Sequence, residues 1–239
     1  MKRLAVVIGG ALAMAIVASG GCADRERRDR ASAEAAEQRY RILNGSTSDT
    51  DDRRAATEPD LNADTHFAAG QLAESTGKYP AAILQYEKAL ALKKDHLPAL
   101  YRMGVVLTRA GTYDRAVETW KRYVKASGET AAAYSNLGFC HEMAGNAVEA
   151  ERAYLKGIDR DGRSQPCRVN YGLMLARQRR TDEAKEQLST VLRPDEVAYN
   201  LAAVYEQTGD LPQAKAELER AVQANPRNLA AQAKLAALK

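Results

Sequence analysis

Bulky and reactive side chains are scarce in this chain. Its 239 residues include two phenylalanines, one tryptophan (Trp120), three cysteines and three histidines. After the N-terminus, runs rich in β-branched residues are nearly absent, whereas Ala, Leu, Glu, Lys, Gln and Arg dominate from Thr65 onward. That balance excludes a sheet architecture and predicts an all-α protein. His66, His96 and His141 stand far apart, without the paired short spacings that converge on a zinc ion. No glycine-rich phosphate loop or nucleophile elbow occurs. The formal net charge is +4, too mild for a nucleic-acid footprint. No enzyme activity, cofactor, metal, nucleic acid or small-molecule substrate is expected.

The N-terminus has the composition of an export signal. Lys2 and Arg3 precede an apolar stretch over 4–18, and Ser19, Gly20 and Gly21 lead into Cys22. A membrane-spanning helix needs about 20 apolar residues, so a cleaved signal is predicted over 1–21. Gly21–Cys22 resembles a bacterial lipobox, although Ser19 stands where that motif carries leucine. The resemblance implies acylation of Cys22, a lipid anchor in the membrane, and a periplasm-facing protein; ordinary secretion and an uncleaved anchor are the alternatives. Ala23 after the cysteine favours the outer membrane over the inner. Residues 22–62 read as a polar tether, since 23–62 carry eight arginines and ten carboxylates without apolar periodicity.

Beyond the tether a small residue returns on a near-constant beat. Gly70, Gly104, Gly138, Gly172, Ala202 and Ala236 are separated by 34, 34, 34, 30 and 34 residues. Each is flanked by large apolar residues at helical spacing, and a second apolar segment follows a turn. Repeat 63–96 carries Gly77, Tyr79, Ala82, Tyr86 and Ala89; repeat 97–130 carries Leu100, Met103, Leu107, Gly111, Ala116 and Trp120. Repeat 131–164 carries Tyr134, Leu137, Gly145, Ala150 and Tyr154. Repeat 165–194 is four residues short, and Arg179 takes the turn-glycine position. Repeat 195–228 carries Leu201, Tyr205, Gly209, Ala214 and Leu218. Residues 229–239 restart the pattern, as a capping helix over the last apolar face would.

This pattern resembles the tetratricopeptide repeat, a helix–turn–helix unit of 34 residues. The resemblance implies a right-handed superhelical solenoid of about five repeats, whose first helices line a concave groove for other proteins or peptides. The sixth position of each first helix would then form a column: Ala68, Arg102, Asn136, Asn170 and Asn200. Asparagine offers a donor and an acceptor, suited to the main chain of an extended peptide. The alternative is that these amides only stabilise contacts between helices. Specificity would come from the neighbouring groove residues Phe67, Tyr101, Arg109, Phe139, Glu142, Arg177, Tyr199 and Glu206.

The remaining candidates have plainer readings. His141 falls at a packing position. Asp159–Gly162 lacks the closing glutamate of a calcium loop and falls where repeats need a turn. Cys140 and Cys167 are offset along adjacent first helices by about 10 Å, beyond the roughly 7 Å that a disulfide spans, and are expected as two semi-buried thiols. Arg163, Arg168, Arg177, Arg179 and Arg180 read as a solvated, charge-balanced rim, the alternative being a surface for an acidic partner or anionic lipid head groups. The combination looks like the small tetratricopeptide lipoproteins that assist assembly of pili and secretion machines. An accessory subunit docking on an enzyme of wall or exopolysaccharide synthesis is the second reading.

Overall fold

The protein's structure is a computed structural model that describes residues 62–238. The expected signal, Cys22 and nearly all of the tether lie outside the described residues. The described residues form eleven α-helices and no strand. They run α1 (Ala63–Ser75), α2 (Tyr79–Leu92), α3 (Leu97–Arg109), α4 (Tyr113–Ala126), α5 (Ala131–Met143) and α6 (Ala147–Arg160). Then follow α7 (Gln165–Arg177), α8 (Thr181–Ser189), α9 (Pro194–Gln207), α10 (Leu211–Ala224) and α11 (Leu229–Ala237). Among the described residues no helix is long and apolar enough to cross a membrane. The chain divides into two compact units, whose described parts are 62–129 with 140–147 (the N-terminal unit) and 130–139 with 148–238 (the C-terminal unit).

Proline and short polar residues set where the helices begin. Pro80, Pro98, Pro166, Pro194 and Pro212 lie in the first turns of α2, α3, α7, α9 and α10, where a missing N–H costs nothing. The Asn62, Asp210 and Asn228 side chains accept from the backbone N–H three residues on, capping α1, α10 and α11. Histidine takes this role at α3: His96 Nδ1 accepts from Ala99 N, and Nε2 meets Asp64 Oδ1 at 2.8 Å. The cap fixes the tautomer, with the proton on Nε2. Pro194 opens α9, although the repeat bounds place it last in 165–194.

Each first helix meets its second helix through the recurring small residue. A Cβ built on Gly70 would lie 2.4 Å from the Tyr86 ring, on Gly104 2.6 Å from Trp120, and on Gly138 2.6 Å from Tyr154. Gly172 faces Leu188 in the same way. Tyr86 and Trp120 are also fixed by polar bonds. Tyr86 Oη donates to Glu74 Oε2 at 2.7 Å, and Trp120 Nε1 donates to Thr108 Oγ1 at 3.0 Å. In both cases the acceptor lies twelve residues before the ring. Burial first, and then the bond to Glu74, push the Tyr86 phenol well above its ordinary range.

The C-terminal unit holds two apolar clusters. Tyr154, Tyr171, Leu175, Leu188 and Leu201 belong to the larger. Ala198, Ala202, Leu218, Ala221 and Ala231 form the smaller, with Leu235 packed on it, so α11 covers the end of the α9–α10 pair. Asp195, 5 % exposed, anchors the turn before α11 by accepting from Asn225 at 3.0 Å and Asn228 at 3.1 Å. Burial pushes its carboxyl upward, but the Asn225 bond, the Arg193 charge and the Asn228 bond together hold it below the ordinary range. The bonds from Arg180 and Tyr171 depress Glu151 in the same direction, against burial.

Cys140 and Cys167 are free thiols, as read, but fully rather than partly buried. Burial raises Cys140 to about 11. Cys167 donates to Ala131 O at 3.0 Å and fills the space over Gly157. Asp161 sits in the turn after α6, its side chain accepting from Arg163 N at 2.9 Å.

The left-handed residue that closes a first helix is glycine at Gly77, Gly111, Gly145 and Gly209, with φ between 72° and 79°. After α7 it is Arg179, at φ 64°. An L-residue there costs about 1–2 kcal/mol relative to its ordinary backbone regions. Replacing Arg179 with glycine should therefore stabilise the protein by about 1 kcal/mol, read as a higher urea midpoint. Gly104→Ala should act oppositely, by roughly 1–3 kcal/mol, because a buried, hydrogen-bonded indole has no room to retreat. The depressed carboxyls of Asp195 and Glu151 contribute stability that is complete above their unfolded values, about 4. That stability is lost as pH falls through the folded values. The urea midpoint should hold from pH 8 to about pH 5 and fall below about pH 4, less steeply in Asp195→Asn.

Candidate functional site

In the N-terminal unit the predicted groove residues are largely engaged. Phe67 is half-buried, its ring centroid 5.9 Å from Tyr86 and 5.3 Å from His96. Tyr101 stands edge-on to Trp120 at 5.6 Å and lies 5.7 Å from Tyr123, so the three rings form one cluster. Arg102 is not a free groove donor. Its Nε lies 3.0 Å from Glu74 Oε2 and its Nη2 2.8 Å from Glu74 Oε1. A guanidinium clamped on a carboxylate that is only 5 % exposed holds α1 against α3. Arg109 is exposed, with no ion pair among the described residues, and Glu142 is half-buried.

In the C-terminal unit the three asparagines differ. Asn170 Nδ2 donates to Ser135 Oγ at 3.1 Å, and Asn200 Nδ2 donates to Glu196 O, one turn back on its own helix, at 2.8 Å. Asn136 is half-buried and makes no hydrogen bond among the described residues. A backbone carbonyl can only accept, so the Asn200 amide is fixed with Nδ2 toward the helix and Oδ1 away from it. The Oδ1 atoms of Asn136, Asn170 and Asn200 accept from no donor among the described residues. Main-chain N–H groups of a ligand are the matching chemistry. Phe139 and Tyr199 are half-buried nearby in sequence, and Lys234 Nζ lies 5.7 Å over the Tyr199 ring. Lys234 also pairs with Glu206, so that carboxylate is not free for a partner.

The arginine rim divides. Arg180 is balanced by Glu151 and Glu183. Arg168 is held by Gly162 O at 2.6 Å and Gln187 Oε1 at 2.7 Å. Arg179 pairs with no carboxylate among the described residues, contrary to the charge-balanced reading. Among those residues no group of three His, Cys, Asp or Glu side chains is placed to hold a metal.

Glu74 and Glu206 belong to a rule that the sequence reading missed. Glu74–Arg102, Glu87–Arg115 and Glu206–Lys234 are each an acid followed 28 residues later by a base. Two of the three join the twelfth position of one first helix to the sixth of the next. The sixth-position column is therefore also where neighbouring pairs are stitched. An acid-to-base search at that offset would have found it.

Three family models described as tetratricopeptide repeat match residues 63–96, 101–166 and 194–238, together more than half of the chain. Among curated proteins, tetratricopeptide repeat protein 37 of Xenopus laevis is 30 % identical over 90 residues, covering 38 % of this chain and 6 % of that protein. The photosystem I assembly protein Ycf3 of Synechococcus elongatus is 28 % identical over 99 residues, 37 % of this chain and 57 % of that protein. This chain spans 6 % to 12 % of the first three curated relatives that it matches. Among solved structures, MamA aligns with a TM-score of 0.56 at 19 % identity, covering 70 % of this chain and 93 % of that one. A tetratricopeptide repeat protein from Parabacteroides merdae aligns at 0.58 and 18 % identity, over 81 % and 80 %. YrrB, described as having an unusual peptide-binding site, aligns at 0.51 and 21 % identity, over 76 % and 96 %. Those likenesses establish the fold, and with the repeat matches they show that the chain belongs to the tetratricopeptide repeat family.

Proposed function

We propose that this chain is a lipid-anchored scaffold of the bacterial cell envelope that holds an extended segment of a partner protein on its first helices. Proteins built from this repeat are interaction modules, and none of the matched families is catalytic. The observation that carries the finer reading is that the amide oxygens of Asn136, Asn170 and Asn200 accept from no donor among the described residues. Each accepted main-chain bond contributes about 0.5–1.5 kcal/mol, and the aromatic faces of Phe139 and Tyr199 supply apolar anchoring. The anchor rests on Lys2, Arg3, the apolar stretch and Gly21–Cys22. A periplasm-facing site at the outer membrane, serving assembly of a pilus or secretion complex, is the setting that this architecture fits.

In cells fed labelled palmitate, the chain should take up label and Cys22→Ser should take up none; label retained in Cys22→Ser would remove the anchor from the reading. Photo-crosslinking from position 136 or 199 should capture a partner. Asn170→Ala with Asn200→Ala should reduce that capture by roughly tenfold, the equivalent of losing two main-chain bonds. Unchanged capture in the double variant would show that the amide row is only structural.

A further inference from the structure

The C-terminal unit contains an open cavity of about 370 Å³ at the turns after α7 and α9. Arg177, Arg179, Lys185 and Arg220 line it, against two carboxylates, Asp210 and Glu217. Both acids are already engaged. Glu217, with its side chain 4 % exposed, meets Arg220 Nη1 at 2.6 Å and Lys185 Nζ at 3.7 Å. Asp210 Oδ1 accepts from Gln213 N at 3.2 Å as the cap of α10. On this wall Glu217 is taken by Arg220 and Lys185, and no carboxylate pairs with Arg179.

Arg179 is the residue that makes this more than a charged crevice. It holds a left-handed backbone conformation that glycine fills in the turns at Gly77, Gly111, Gly145 and Gly209. Its backbone strain has no return within the described fold, since its guanidinium pairs with no carboxylate there. Strain of this kind persists where the side chain serves another purpose. We propose that the cavity binds a carboxylate-rich segment of a partner protein, with Arg179 as the leading contact. A lone anion would leave most of the volume empty, because a water-sized occupant takes about 30 Å³. The hydroxyls of Thr181 and Tyr205, 3.2 Å apart on the same wall, suit a ligand with polar groups along its length. The site uses none of the amide row, so either can fail without the other.

The test measures binding of a fluorescein-labelled hexaglutamate peptide to the full chain by anisotropy, with hexaglutamine as the uncharged control. Arg179→Gly should weaken hexaglutamate binding by about tenfold, the range of one charge-assisted hydrogen bond. The same substitution should raise Tm by about 2–4 °C. Arg179→Lys should keep most of the affinity and leave Tm unchanged. Lys156→Gln, which removes an exposed charge outside the cavity wall, should change neither. Higher Tm with unchanged affinity in Arg179→Gly would overturn the proposal. So would equal weakening by Lys156→Gln, which would reduce the effect to overall charge. Absence of hexaglutamate binding, with Arg179-dependent pelleting on phosphatidylglycerol vesicles instead, would also overturn it, in favour of a lipid surface.

Discussion

Two helices come as close as these do only where one of them presents bare backbone to the other's ring. Gly70 under Tyr86, Gly104 under Trp120 and Gly138 under Tyr154 all have this arrangement. Other features follow from it. A ring pressed on backbone is held almost immobile, so its polar edge can be satisfied at a fixed place, by Glu74 for Tyr86 and by Thr108 for Trp120. The acceptor on the first helix is in turn oriented. At Glu74 it is oriented toward the next first helix, where Arg102 closes on it. Packing within a pair and pairing between neighbours are thus successive consequences of one missing side chain.

The sixth position of the first helices carries two kinds of polar side chain. It supplies the cation that stitches neighbours at Arg102 and Lys234, and the amide row at Asn136, Asn170 and Asn200. Where that position is charged it is committed inward. Where it is asparagine one end of the amide can be tied down while the other remains available. Aliphatic residues at these places would pack equally well and would lack the acceptor.

The architecture was legible in the sequence because its determinants repeat. The beat from Gly70 to Ala236 fixes where helices cross, and Pro80 and Pro212 mark first turns. Arg179 stood out because four turns carry glycine in its place. The polar wiring was harder to read. His96 as a helix cap paired with Asp64, and Asp195 holding Asn225 and Asn228, depend on neighbours about 30 residues away, which no single-repeat pattern displays. Glu206 and Arg102 look like groove residues when one repeat is read alone. They become internal partners once the next repeat is laid beside them. The cavity lay beyond sequence altogether, since it is lined by residues from four helices and the turns between them.

The 28-residue stitches limit how such a chain can evolve. Repeat proteins are often regarded as modular, lengthened or shortened by copying or deleting one period. Here, excising the segment that contains Arg102 would leave the enclosed carboxylate of Glu74 facing whatever cation, or none, the new neighbour brought. Stranding a buried charge costs about 3–5 kcal/mol, a large part of a domain's whole margin. A duplication or deletion that cuts a stitched joint is therefore tolerated only where the new joint recreates an acid and a base in register.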